Sequence, residues 1–147
     1  MKVKSMTAKE FLKEVYKRRQ LMESTQQHLE ELRTQAEGVG AIRYDKDRVQ
    51  VSPSDHMSEV MTTLIEQEEL YAQQILAYHK AVYTRTKMIE QMPDSRYAVL
   101  LTLRYIDCLR FEEIAVRMAY SWKHVLRLHG EALDAFADQF KDAVECD

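Results

Sequence analysis

Lys123, His124 and Arg127 fall within five residues of one another in the stretch RYIDCLRFEEIAVRMAYSWKHVLRLHGEAL, which runs from Arg104 to Leu133. An arginine fork matches guanine O6 and N7, a lysine suits a phosphate, and a histidine can donate to either, so the chemistry on offer is recognition of double-stranded DNA. Arg127 is the candidate for a base or phosphate contact, and Lys123 for a phosphate contact that positions without specifying sequence. His124 reads either as a donor to DNA when protonated or as a half-exposed neutral ring. Trp122 fits several roles: stacking on the sugar-phosphate edge, meeting a thymine methyl, closing the hydrophobic core, or binding another protein. Arg110 and Arg117 are placed to reach the DNA backbone. His129, a turn beyond, reads as structural, bonded to Glu113 or to a backbone carbonyl.

Presenting these groups requires two short helices and a tight turn. With Phe111 opening the first helix, Ile114, Ala115 and Met118 share one face, Ala119-Tyr120-Ser121 makes the turn, and Val125 and Leu128 face inward from the second helix. Ala115 is small where two crossing helices come closest. Ser121 suits an N-cap, its hydroxyl accepting from a free N–H of the first turn. This is the spacing of a helix-turn-helix, whose second helix enters a major groove. Pairs of helices with the same apolar spacing also occur in all-helical proteins that never meet DNA.

A chain of 147 residues holds one or two domains and can bury a core without staples. Three glycines and two prolines leave room for long helices, and two cysteines, Cys108 and Cys146, make neither a disulfide framework nor a zinc site. The formal net charge of −3 argues against indiscriminate nucleic-acid binding and implies modest, salt-sensitive contact through a local basic face. No apolar run approaches the ~18 residues of a membrane helix and no signal peptide is read, so a cytoplasmic protein without a membrane partner is expected.

Thr7 with Glu10 forms a capping box, so a first helix begins near Ala8. Phe11, Leu12, Val15, Met22, Leu29 and Leu32 recur at helical spacing, interrupted by Arg18, Arg19 and Thr25, up to an expected end at Gly38. Residues 38–52 read as an ordered loop, with alternation across Asp45-Lys46-Asp47 compatible with a short β-hairpin. Ser52 then caps a second helix with Pro53 at its first position, running to about Gln91. Met57, Met61, Leu64, Tyr71, Ile75, Tyr78, Val82 and Ile89 follow a heptad-like spacing there, with Glu68 and Arg85 as polar exceptions. Two long helices imply an antiparallel hairpin or a coiled coil with a second chain. Met92-Pro93-Asp94 breaks the helix, because proline removes a donor and disfavours helical angles before it. The expected fold is all-α: a hairpin or coiled coil over 1–92, then a trihelical helix-turn-helix unit over 93–147, its supporting helix carrying Tyr97, Leu100, Leu101, Leu103, Arg104 and Tyr105.

LTLRYID, EEIA, the turn with Ser121 and VLRLHGEAL together resemble region four of bacterial sigma factors and their phage-encoded relatives. With RYDKDRVQVSPSD added, most of the chain resembles small phage and integrated-element regulators of Gram-positive bacteria of the RinA and ArpU type. The resemblance implies a DNA-binding transcriptional regulator in which Ser121, Trp122, Lys123, His124 and Arg127 occupy recognition-helix positions. This chain departs from that pattern at Ala119 and Cys108, where glycine is common, at Arg110, where Ser or Thr usually caps, and at Leu126, where a basic residue is common. Alanine at a positive backbone angle costs about 1 kcal/mol.

Enzymatic chemistry has no support in the sequence. His56 and His79 are not an i, i+4 pair, and there is no H-E-x-x-H, glycine-rich phosphate loop or G-x-S-x-G. Glu30-Glu31 and Glu68-Glu69 read as solvated helix faces. No catalytic residue, cofactor or metal ligand is therefore expected. The expected partners are double-stranded DNA, RNA polymerase and a second copy of the chain. Besides the DNA-binding reading stand a protein-interaction module acting on polymerase or another regulator, and a structural dimer in virion assembly.

Overall fold

A computed structural model describes residues 7–42 and 53–145, and among them every regular element is helical. In chain order these are α1 (Ala8–Ile42), α2 (Pro53–Glu90), α3 (Ser95–Leu101), a π-helical turn (Thr102–Ile106), α4 (Phe111–Met118), α5 (Trp122–Gln139) and α6 (Lys141–Glu145). The all-α class follows. None of the described helices is long and apolar enough to cross a membrane.

The start of α1 is held by both halves of the capping box: Thr7 N–H donates to Glu10 Oε2 (3.0 Å) and Glu10 N–H to Thr7 Oγ1 (3.2 Å). Its end is a correction to the expected stop at Gly38, since α1 continues through both glycines to Ile42. Glycine lowers helix stability without forbidding it, and none of the described glycines has a positive φ. Pro53 does open α2 and Glu90 closes it. The β-hairpin expected across Asp45-Lys46-Asp47 and the cap at Ser52 lie outside the described residues.

Two compact units emerge: residues 1–18 with 78–147, and residues 19–77. They do not coincide with a cut at 92/93. The physical reason is a shared core, in which Ala8, Phe11 and Leu12 of α1, Ile89 of α2 and Met92 just after it are buried with Leu100, Leu101, Ile114, Val125, Leu128 and Phe136. Burying each large aliphatic side chain contributes about 2 kcal/mol, so the C-terminal helices depend on these outer segments. Arg85, read as a polar exception, is itself buried there, its Nε donating to the Phe11 carbonyl (3.1 Å) and its guanidinium 4.1 Å from the Phe11 ring centre.

In the second unit, sheltered positions recur three and four residues apart on both helices: Met22, Thr25, Leu29, Leu32 and Ala36 on α1, and Met57, Val60, Leu64, Gln67, Tyr71 and Gln74 on α2. This is coiled-coil spacing, and an ion pair between Arg33 and Glu68 (3.4 Å) joins the two helices. Leu29 and Val60 on this spacing are buried by the chain itself. Met61, assigned to the packing stripe by the sequence, is instead exposed, as are Ile65 and Leu76. Thr25, read as an interruption, is buried, and the buried Gln74 Oε1 lacks a hydrogen-bond partner.

Candidate nucleic-acid interface

Pro93 ends the long helix and Asp94 starts α3, its carboxylate accepting from Arg96 N–H (2.9 Å) as an N-cap. The Arg96 guanidinium, hydrogen-bonded to the same group, holds the Asp94 carboxyl below its ordinary value. The supporting helix then widens. Over Thr102–Ile106 the bonding becomes π-helical, and Asp107 N–H reaches back five residues to the Thr102 carbonyl (3.0 Å). Cys108 follows with φ 57°, the left-handed conformation that explains why glycine suits this position. Arg104 pins the exit: it donates to the Leu109 carbonyl (2.9 Å) and lies 4.2 Å from the centre of the Phe111 ring.

Beneath this corner, His129 is buried. The Tyr105 hydroxyl and His129 Nε2 lie 2.7 Å apart, Tyr105 stacks on the imidazole, and Phe111 meets it edge-on at 4.9 Å. His129 is structural as expected, but its partner is Tyr105 rather than Glu113 or a backbone carbonyl. Glu113 is occupied elsewhere, accepting from Arg110 N–H (2.8 Å) at the start of α4. Burial, reinforced by the charges of Arg104 and Lys9, pulls His129 down to about 4, and burial pushes Tyr105 up to about 12. Both side chains are neutral near pH 7.

The turn has the geometry that its residues require. Ala119 adopts φ 57°, ψ 40° and closes α4, with its N–H bonded to Val116 (3.3 Å) and that of Tyr120 to Ala115 (3.0 Å). Ser121 is extended, and its hydroxyl accepts from His124 N–H (3.2 Å). Ile114, Ala115, Val125 and Leu128 are buried where α4 crosses α5. The angle of α5 is thereby set by packing rather than by the turn alone.

Lys123 and Arg127 stand one turn apart on the exposed side of α5, opposite Val125, Leu128 and Ala132. Gly130 continues that side, and Asp134 follows, so positive charge is confined to the first two turns. Trp122 is 51% exposed on a different side and does not close the core. His124 is half-buried, its ring edge-on to Tyr120 at 4.5 Å, and its Nδ1 lies 2.8 Å from an Arg127 guanidinium nitrogen, a contact the sequence did not suggest. Arg110 is exposed at the N-cap of α4, where Glu113 accepts from its backbone N–H but the arginine side chain, having no acceptor, cannot return the other half of a capping box. Arg117, two turns further on, lines an open groove of about 370 Å3 with Ser95, Arg96, Val99, Leu103 and Met118.

No protein-family model, curated protein or solved structure matches this chain. Among the described residues, no three His, Cys, Asp or Glu side chains gather as metal ligands. Sequence reasoning missed Arg104 and Tyr120, whose roles lie in contacts across the turn. An arginine six residues before the α4 cap and an aromatic inside the turn were the available signals.

Proposed function

We propose that this chain is a DNA-binding transcriptional regulator of phage or mobile-element genes that acts in the cytoplasm through α4, the Ala119–Ser121 turn and α5. The reading rests on one observation above all. Lys123 and Arg127 occupy the outer face of a helix whose first turn is capped by Ser121 and whose crossing is set by a buried Ala115. The N-terminus of such a helix carries partial positive charge that favours phosphate. Lys123 would meet the backbone, Arg127 a guanine edge, and Ser121, Trp122, Arg110 and Arg117 flanking sugar-phosphate.

With few cations and an overall charge of −3, affinity from one module is modest. A second contact makes it useful by raising the effective concentration. A second copy of the chain is the partner we propose, and exposed Met61, Ile65 and Leu76 on α2 support it. The alanine double variant of Lys123 and Arg127 tests the DNA reading. Its DNA affinity should fall at least tenfold and its salt dependence flatten, while its helical content stays that of the parent; unchanged affinity would sink the assignment.

The second reading is a module that binds RNA polymerase or another regulator without specific DNA contact. It draws on the groove beside Arg96 and Arg117 and on Val116, which is 83% exposed. It predicts that Val116→Glu abolishes polymerase binding in a pull-down with purified polymerase, and that DNA affinity is no greater than that of an unrelated acidic protein.

A further inference from the structure

We infer that His124 is a positioning residue that fixes the Arg127 guanidinium for reading a guanine, an inference that rests on the DNA-binding reading and deepens it. Arginine carries donors and no acceptor, so the 2.8 Å approach of its guanidinium nitrogen to His124 Nδ1 requires that Nδ1 be unprotonated. The ring proton therefore sits on Nε2. Tyr120 packs against the imidazole edge-on at 4.5 Å, and the Ser121 hydroxyl, accepting from the His124 backbone N–H at 3.2 Å, fixes the helical turn that carries the ring. The first turn of α5 thus orients the arginine one turn later.

A long arginine side chain loses rotamer freedom when it docks, and a side chain already held loses less. With one guanidinium nitrogen committed to His124, other N–H groups of the fork stay available to a partner. Guanine presents two acceptors on its major-groove edge, whereas adenine places a donor beside its acceptor. A fixed donor fork therefore separates guanine from adenine more sharply than a mobile one. Phosphate attraction needs only charge. Loss of His124 should accordingly lower base preference while leaving salt dependence intact.

The test uses the full chain and a duplex enriched by it from a random-sequence pool, with each guanine replaced in turn by adenine. Arg127→Ala should erase the preference at one guanine. His124→Ala should lower that same preference about tenfold with the salt slope unchanged, and His124→Asn, whose side-chain oxygen can take the place of Nδ1, should restore it. Nitrogen-15 spectra of the free protein should show His124 protonated at Nε2. If His124→Ala keeps the preference that Arg127→Ala erases, or if Nδ1 carries the proton, the positioning role is overturned while the DNA reading stands. Failure of the parent to enrich any duplex would overturn both.

Discussion

The Tyr105 hydroxyl and His129 Nε2 share a 2.7 Å hydrogen bond beneath the corner between the π-helical turn and α4. Each satisfies a polar group that the other's absence would leave buried and unpaired. Tyr105→Phe should therefore cost about 1–3 kcal/mol, measured by urea unfolding. The Tyr105→Phe, His129→Leu double variant should lose less than the two single variants sum to. Additive losses would mean that the two residues act independently.

The same pair sets an acid limit. Unfolded, His129 takes up a proton near its ordinary 6.5, whereas folded it does so only near 4. The unfolded state thus binds more protons between those values, so stability falls as pH drops from about 6.5 to about 4. Thermal melts across that window should show a decline that His129→Leu reduces. An equal decline in the variant would place its origin in other groups.

Ala119 and Cys108 both sit at φ 57°. Relief of that strain by glycine gains about 1–2 kcal/mol, and the greater freedom of glycine in the unfolded chain takes back about 0.4–1. Ala119→Gly should raise the melting temperature. Cys108→Gly should do so less, because it also forfeits weak Sγ contacts to the Tyr105 and Ile106 carbonyls (3.8 Å each). A lower melting temperature for Ala119→Gly would contradict the assigned turn.

Gly130 lies mid-helix on the outer face of α5, and a Cβ there would meet nothing within 4 Å. Gly130→Ala should stabilise the protein by about 1 kcal/mol. Denaturant unfolding measures this directly, and a loss of stability would show that the face is covered.

Features governed by neighbours in sequence were legible from residue types. The Thr7–Glu10 box and Ser121 as a cap follow from side chains that bond within a turn of their own backbone, Pro53 and the break at Pro93 from a ring that fixes φ and removes a donor, and the limits of α4 from apolar spacing. The π-helical turn was not legible, since a backbone bond to a carbonyl five residues back leaves no mark in residue type or apolar spacing. Nor was the burial of Arg85 and His129, whose partners Phe11 and Tyr105 lie 74 and 24 residues away. Local spacing likewise suggested a domain cut at Pro93, where the core instead recruits Phe11, Leu12 and Ile89. At the candidate interface, charge and helix face were readable from Lys123 and Arg127, but the bond that ties Arg127 to His124 required coordinates.

The central claim is that α5 reads DNA through its first two turns. Selection of bound duplexes from a random-sequence pool at near-physiological salt, run beside the Lys123→Ala, Arg127→Ala double variant, tests it most directly. Enrichment of a defined site by the parent alone is the predicted result, with half-site spacing giving the symmetry of the bound form. No enrichment by the parent, or equal enrichment by the double variant, would contradict it.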